Sequence, residues 1–191
     1  WLPYLSVADV TAAVRDLTAD GARLVMPATT IPEGTFALLS DPTGAPFYVM
    51  APVPPPASPD AMSHVFAPET PQAVGWNELA STDLPRSTAF FARHFGFRFD
   101  ERMAMGDFGD YCFIDHHGQR LGGMMVQSAP GLGPQWSFYF GVPSARAAHR
   151  TIAAQGGKVL VGPHQVPGGA WIVLALDPQG AVFGVVGPEG E

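Results

Sequence analysis

The sequence predicts an α+β fold built from repeated β-α-β-β-β units. Residues 1–50 align with residues 136–186 with one single-residue insertion, and seventeen of the fifty aligned pairs are identical. Both segments contain the pattern Asp-Pro-x-Gly-Ala-x-Phe, which begins at Asp41 and at Asp177. Because a repeat of this length is one supersecondary unit used more than once, the whole chain is expected to follow this unit.

The first copy shows each element of the unit in order. A β-rich run at 2–7 precedes Asp9, a good helix N-cap, and the helix that follows ends at Gly21. A strand begins at 23–26, 27–34 is expected to be a loop, and 35–40 and 47–50 are the remaining strands. The tight turn that starts at Asp41 joins these last two strands.

Two further copies follow the same order. In the last copy, Ser144 is the expected N-cap, Gly156 ends the helix, and Asp177 begins the final hairpin turn. A third, more divergent copy at 75–127 has Asp83 as its expected N-cap and Gly96 as its helix end. Its strands are predicted at 76–81, 97–101, 111–115 and 121–127, with a turn at 115–118.

Two linkers divide the chain. Residues 51–74 contain Ala-Pro-Val-Pro-Pro-Pro and read as a semi-rigid, Pro-rich linker, and 128–135 form a shorter link. Residues 1–50 are therefore expected to be the second half of an N-terminal domain. Residues 75–191 are expected to be a complete C-terminal domain made of units 75–127 and 136–187.

Composition excludes several classes of function. The net charge is −7 and no Lys/Arg cluster occurs, so nucleic-acid binding is not expected. No apolar run is long enough to span a membrane. The single cysteine, Cys112, lies in an apolar strand pattern, where a small buried side chain is the simplest interpretation and a reactive thiol the alternative. One cysteine fits a reducing compartment, and we expect a cytoplasmic protein.

Several motifs together resemble one known family. They are Trp76-Asn77-Glu78-Leu79, Thr82-Asp83, Phe90-Phe91, Phe95-Gly96-Phe97 and the two Asp-Pro-x-Gly hairpins. Their order and spacing resemble the vicinal-oxygen-chelate superfamily, which includes glyoxalase I, bleomycin-resistance proteins and extradiol dioxygenases. The closest likeness is to tandem, four-unit bacterial members, of which this chain matches units two, three and four. The resemblance implies half-open barrels in which two units enclose a ligand cleft.

The resemblance also implies positions for metal ligands, one on the first strand and one on the last strand of each unit. The first-strand positions here are Leu2, Trp76 and Ser137. The last-strand positions are Tyr48 and Gly184, with Met124 or Met125 as the equivalent in the third copy. None of these side chains is a competent ligand for iron, zinc, manganese or nickel. We therefore expect no metal and no other cofactor in the C-terminal domain.

The histidines do not replace the missing ligands. His116 and His117 are expected in a hairpin turn, where neighbouring side chains point in opposite directions. His94 and His149 are expected on helices in structural or solvated roles, and His64 falls in the linker. His164 is expected in a loop at 162–169, from which it could reach the mouth of a cleft.

The cleft-facing positions give the candidate ligand site. Strand alternation places Trp76, Glu78 and Ala80 on one face and Ser137, Tyr139 and Gly141 on the matching face. The predicted ligand-binding residues are Trp76, Ser137, Tyr139, Phe113, Met125, Trp171 and Gly184. Glu78 is the candidate catalytic residue, since a carboxyl in an apolar strand should have a raised pKa and could act as a base. The alternative is that Glu78 only hydrogen-bonds neighbouring groups and orients the strand.

Three functions remain open from the sequence. The first is a metal-free protein that binds a small hydrophobic or aromatic molecule in the cleft. The second is an enzyme, either a lyase, isomerase or hydroxylase-like protein that uses Glu78 as its base, or a metal-dependent enzyme with its site in the N-terminal domain. The third is a structural or interaction module.

The first copy lacks a partner unit within the chain. Its inner sheet face, which contains Leu2, Tyr4 and Tyr48, is expected to be covered by something other than residues 51–191. The candidates are an additional N-terminal unit or the equivalent unit of a second chain in a homodimer.

Overall fold

The computed structural model of the chain describes residues 1–59, 65–68, 70–127 and 132–191. Its first repeat contains β1 (Tyr4–Ser6), α1 (Val10–Ala19), β2 (Arg23–Ile31), β3 (Gly34–Ser40) and β4 (Pro46–Pro52). The next repeat contains β5 (Val74–Ser81), α2 (Leu84–Phe95), β6 (Arg102–Ala104), β7 (Asp110–His116) and β8 (Gln119–Val126). The last repeat contains β9 (Gln135–Gly141), α3 (Ala145–Ala154), β10 (Lys158–Gln165), β11 (Trp171–Leu176) and β12 (Val182–Gly187). The predicted α+β fold of repeated β-α-β-β-β units is confirmed.

The three helices begin where the sequence predicts. A side-chain oxygen of Asp9, Asp83 or Ser144 accepts a hydrogen bond from the backbone N–H three residues further on, at 3.0 Å in each case. Gly96 ends α2 in the left-handed conformation, with φ at 67°. Among the helices in the described ranges, none combines the length and the apolar character needed to cross a membrane.

The two Asp-Pro hairpins share one geometry. Asp41 Oδ1 accepts hydrogen bonds from the backbone N–H groups of Thr43 and Ala45, at 2.8 and 2.9 Å. Asp177 Oδ1 accepts the two equivalent hydrogen bonds from the backbone N–H groups of residues 179 and 181, both at 2.9 Å. The repeated motif is therefore a turn in which one carboxylate satisfies two backbone donors.

Two predicted loops, 27–34 and 162–169, are strand over their first residues and turn only after them. Residues 27–31 continue β2 beyond Pro27, and register shifts lie between Leu24 and Met26 and between Met26 and Thr29. In the last repeat, β10 likewise runs on to Gln165, so His164 pairs with Ile172 instead of lying in a loop. Both β2 and β10 are edge strands, where proline and irregular register are tolerated because one side of the strand needs no partner.

The third repeat departs from prediction between α2 and β7. Residues 97–101, predicted as a strand, contribute only an isolated bridge between Arg98 and Asp115. The strand β6 begins after them, at Arg102, and a short 3₁₀ turn follows at Gly106–Phe108. Phe97 is buried and stacks on Phe91 at 6.0 Å between ring centroids, so packing on α2 holds this segment. The predicted turn at 115–118 is also shorter, since His116 pairs with Gln119 across a two-residue loop.

The chain forms two compact units that do not follow the repeats. One contains Trp1, Ser63–Asn77 and Ser137–Glu191, and the other contains Leu2–Met62 and Glu78–Trp136. In the first unit the strand order is β10-β11-β12-β9, with the beginning of β5 beside β9. The second unit has one sheet in the order β1-β4-β3-β2 and a group in the order β5-β8-β7-β6, with the end of β5 at its edge. The domain boundaries derived from the sequence stay a prediction.

Aromatic side chains form much of the core of the second unit. Phe47 of β4 and Phe90 and Phe91 of α2 are at most 2% exposed. The Phe47 ring lies 6.2 and 5.7 Å from those two rings and 5.9 Å from that of Phe95. The buried face of the first repeat's sheet therefore packs against α2 of the next repeat. In the other unit, Ala145, Val173 and Val185 form the core beneath α3.

A buried polar network joins the same two repeats. Asp41 Oδ2 accepts a hydrogen bond from the Ser87 hydroxyl at 3.2 Å, and Ser87 Oγ lies 2.7 Å from Ser81 Oγ. All three residues are at most 2% exposed. Because buried polar groups are costly without partners, this network fixes the Asp41 turn against the start of α2.

Candidate functional site

A carboxylate–phenol pair lies on the face of the β5-β8-β7 group that is turned away from α2. Glu78 of β5 is half-buried, and its Oε2 accepts a hydrogen bond of 2.9 Å from the Tyr111 hydroxyl of β7. Tyr111 itself is 7% exposed. Since Leu79 beside Glu78 is fully buried, strand alternation places the two side chains on opposite faces.

Gly123 allows this pair to form. It lies in β8, the strand between β5 and β7. A Cβ atom added to Gly123 would meet the Tyr111 ring at 2.1 Å, and the Tyr111 hydroxyl at 2.6 Å. The tyrosine therefore crosses β8 through the space that a side chain would fill. Glycine in a strand interior often marks such a close approach.

Phe113 of β7 and Arg120 of β8 add an aromatic ring and a cation that is paired with carboxylates. Phe113 lies 5.4 Å from Tyr111 in an edge-to-face arrangement, and the Arg120 guanidinium lies 4.4 Å above the Phe113 ring centroid. Arg120 donates to Asp115 at 3.0 and 3.1 Å and to Glu101 at 2.7 Å. These hydrogen bonds lower the pKa of Asp115 and raise the pKa of Arg120. Glu78 is thus flanked by rings, and Arg120 is held by other carboxylates.

A related arrangement occurs in the other compact unit. Tyr139 of β9 pairs in register with Gly184 of β12, and a Cβ atom on Gly184 would lie 2.2 Å from the Tyr139 ring. Tyr139 is 4% exposed and Ser137, two residues earlier on β9, is 6% exposed. In both units a tyrosine ring thus covers a strand glycine.

The positions implied for metal ligands do not fit a metal. Trp76 and Gly184 offer no ligand atom, and the Tyr139 ring occupies the space beside Gly184. Met124 and Met125 of the third copy offer only thioether sulfur. Within the described ranges, no three His, Cys, Asp or Glu side chains come together as a ligand set.

The structure places Met125 and Trp171, two of the predicted binding residues, in different kinds of surroundings. Met125 lies two residues after Gly123 on β8 and shares its face, whereas Met124 is fully buried on the opposite face. Trp171 packs against the core beneath α3, with Arg146 of α3 6.0 Å from its ring. Gly184 pairs with Leu174, three residues away, so Trp171 faces the opposite side of the sheet. This placement argues against the binding role predicted for Trp171.

The histidines are dispersed among the described residues. His94 Nε2 lies 3.0 Å from Asp20 Oδ2, which ties α2 to the end of α1. His116 is half-buried against the Phe97 ring, and His164 is exposed on β10. His149 lies on α3 as predicted. His64 lies outside the described residues.

The first repeat carries an open aromatic face. Tyr4 and Tyr48 stack at 4.4 Å with only 9° between their planes, and Phe36 lies edge-on to both. Leu2 and Tyr48 are half-buried, and Tyr4 is 54% exposed. Two rungs of cross-strand partners form this open face: Tyr4, Tyr48, Leu38 and Met26, and Ser6, Met50, Phe36 and Thr29.

The sequence suggested Glu78 and Phe113 as candidates, but it did not point to Tyr111 and Gly123, which the structure places beside them. The signal available was the Gly122-Gly123 pair inside an apolar strand pattern, because glycine there is weak for a strand unless something must approach closely. Which side chain approaches depends on the pairing of β8 with β7, and residues 111 and 123 are too far apart in sequence to show it.

Comparison with known proteins agrees with this architecture. A family model described as the Glyoxalase/Bleomycin resistance protein/Dioxygenase superfamily matches residues 72–185. The chain is 31% identical, over 193 aligned positions, to the protein named "Putative glyoxylase CFP32" from Mycobacterium bovis and to its namesake from Mycobacterium tuberculosis. The alignment covers 98% of this chain and 69% of each relative.

Solved structures show the same fold at lower identity. The Mn(II)-bound glyoxalase from Novosphingobium aromaticivorans superposes with a TM-score of 0.60 at 20% identity, over 98% of this chain and 62% of that one. The chain thus spans less than two thirds of that glyoxalase. The 2,2',3-trihydroxybiphenyl 1,2-dioxygenase from Sphingomonas wittichii strain RW1 gives 0.62 at 14% identity, over 97% and 70%. Family match, relatives and repeated fold agree, and the chain belongs to the glyoxalase/bleomycin resistance protein/dioxygenase superfamily.

Proposed function

We propose that this chain binds a small hydrophobic or aromatic molecule without a bound metal, on the face that carries Glu78, Tyr111 and Phe113. The observation that carries the proposal is the 2.9 Å hydrogen bond from Tyr111 to Glu78 across Gly123. It holds a half-buried carboxylate in a fixed orientation beside aromatic rings.

The composition of this face supports a small-molecule site. Such sites are mostly apolar, with a few polar groups that fix the orientation of the ligand. Tyr111 and Phe113 provide rigid rings that lose little conformational entropy on binding. Glu78 provides the polar group, and Met125 shares the face of β8 that carries Gly123.

Fluorescence titration tests the binding. The purified chain is titrated with small aromatic acids, amines and phenols while tryptophan emission is followed. Phe113→Ala should weaken a ligand found in this way by about 1–3 kcal/mol, the usual contribution of a buried aromatic contact. The control is Phe108→Ala, because Phe108 is 57% exposed on a 3₁₀ turn. Equal affinities for the wild type and Phe113→Ala would place the ligand elsewhere.

A second candidate function is catalysis with Glu78 as general base. The observation that favours it is again the Tyr111 hydrogen bond, since a base must be held in one orientation toward its substrate. Glu78→Gln should then lower turnover of a substrate at least about a hundredfold and leave its binding intact. If Glu78→Gln changes neither binding nor turnover, the carboxylate has a structural role only.

A further inference from the structure

We propose that the hairpin turn between β7 and β8 binds one Cu²⁺ ion through the imidazole rings of His116 and His117. These two residues are not among the first-strand and last-strand positions that the resemblance implies for metal ligands. The inference therefore does not depend on the ligand proposed above, and metal-free binding beside Glu78 is a separate claim.

The turn brings the two histidine rings together. On an extended strand, adjacent side chains would point to opposite faces. Here His117 has φ at 48° and Gly118 has φ at 78°, so both loop residues adopt the left-handed conformation of a tight hairpin turn. The ring centroids of His116 and His117 are only 4.0 Å apart, with 59° between their planes. The expectation that these two side chains diverge is therefore wrong.

The spacing of the rings suits two ligands of one ion. Two imidazoles bound at right angles, with metal–nitrogen bonds of about 2 Å, have ring centroids about 4.5 Å apart. Because His117 is exposed, a small rotation of its side chain covers the difference from the observed spacing. The same exposure leaves the remaining coordination positions of the ion to water.

His116 is already held as a neutral ligand. Its ring N–H donates to the backbone carbonyl of Phe95, the last residue of α2, and the Phe97 ring lies edge-on at 5.5 Å. Donation by one ring nitrogen fixes the tautomer, so the other nitrogen carries the lone pair that a metal needs. Burial, and next the neighbouring His117, lower the pKa of His116, which keeps the ring unprotonated at neutral pH.

The donor set favours Cu²⁺ over other divalent ions. Imidazole nitrogen suits copper, nickel and zinc, and the affinity of first-row divalent ions for such ligands peaks at copper. Two nitrogens with water in the other positions match the tetragonal geometry of Cu²⁺, whereas structural zinc takes four protein ligands. The neighbouring Asp115 carboxylate is paired with Arg120, so we assign it no role as a ligand.

Copper titration tests the proposal. The probe is copper sulfate alone, added to the 191-residue chain in the presence of glycine as a competing chelator. The wild type should bind one equivalent, and its electron paramagnetic resonance spectrum should show splitting from two imidazole nitrogens. His116→Gln and His117→Asn should each lower the copper affinity at least about tenfold. Asparagine tolerates the left-handed conformation, so His117→Asn keeps the turn, and circular dichroism of both variants checks the fold.

The matched control is His164→Gln, because His164 is a single exposed histidine on β10. This variant should bind copper with the affinity of the wild type. A loss of affinity in only one of the two turn variants would indicate a single-histidine contact and would overturn the proposed pair. Unchanged affinity in both variants would place the copper elsewhere on the chain. A wild-type spectrum with one coordinated imidazole would also contradict the proposal.

Discussion

At the scale of single residues, a glycine determines which polar groups meet. Tyr111 reaches Glu78 only because Gly123 leaves the space above β8 empty. Tyr139 lies over Gly184 in the same way. In both cases the tyrosine ring occupies the space above the strand that a side chain on the glycine would fill. In the first repeat, Tyr48 has the register position of Gly184, and there Tyr4 stacks on a second ring instead.

Gly123→Ala should separate Tyr111 from Glu78. The new methyl group would lie 2.1 Å from the ring, so the ring must move and the 2.9 Å hydrogen bond must break. Overpacking of this kind costs about 1–3 kcal/mol of unfolding free energy, which chemical denaturation measures. Gly133→Ala is the control, because a Cβ atom there meets nothing within 4 Å. Equal losses in the two variants would contradict the account of Gly123.

His116 should make the protein less stable in weak acid. Its half-burial, and next the neighbouring His117, lower the pKa of His116 below its ordinary value of about 6.5. The unfolded chain therefore binds this proton at a higher pH than the folded chain does. The stabilising contribution of the neutral ring is complete above about pH 6.5 and is lost as pH falls through the lowered pKa.

The variant His116→Gln measures this contribution. The free energy of unfolding of the wild type should fall between pH 7.5 and pH 5.5, and the fall should be smaller in the variant. Neighbouring groups near the ring are His117, Phe97 and the backbone of Phe95. An identical pH dependence in the two proteins would show that His116 does not titrate as its lowered pKa requires.

At the scale of elements, α2 contacts both the first repeat and the last repeat. Its rings pack on Phe47 of β4, and Phe91 also contacts Trp136 at 5.4 Å. Its start holds the Asp41 turn through Ser87, and its end holds Asp20 of the α1 cap through His94. The corresponding turn at Asp177 has no such helix contact among its described hydrogen bonds. The first repeat is thus fixed by contacts along the whole length of α2.

Ser87→Ala should weaken this attachment. It removes the hydroxyl that donates to the buried Asp41 carboxylate and lies 2.7 Å from Ser81 Oγ. Leaving buried polar groups without a partner costs about 1–3 kcal/mol, which should appear in the unfolding free energy. Thr88→Ala is the matched control, since Thr88 Oγ1 bonds only to carbonyls of its own helix, at 3.0 and 3.1 Å. A larger loss for Thr88→Ala would contradict a stabilising role of the network.

At the scale of the whole molecule, the internal repeat made most of the fold predictable. The caps at Asp9, Asp83 and Ser144 and the turns at Asp41 and Asp177 depend on local sequence, and all occur where predicted. Edge strands were harder to predict from sequence. Proline suggested loops at 27–34 and at 162–169, but an edge strand tolerates proline because one of its sides has no partner strand. Local sequence cannot show which strands will be edges.

The candidate site was predictable only in part. Strand alternation identified the face of Glu78, since an acid between apolar residues is conspicuous in sequence. It misplaced Trp171, because the sequence does not distinguish an aromatic ring beneath a helix from one lining a cleft. The Tyr111–Glu78 contact depends on the pairing of three strands, and only the folded chain brings these residues together.

Native mass spectrometry of the purified 191-residue chain tests for metal-free binding of a small molecule, because one spectrum reports both bound metal and bound small molecules. We expect a chain without stoichiometric iron, zinc, manganese or nickel. We also expect an adduct with an aromatic probe from the fluorescence titration, and Phe113→Ala should weaken it. A transition metal retained near one equivalent, together with loss of the adduct after chelation, would contradict metal-free binding.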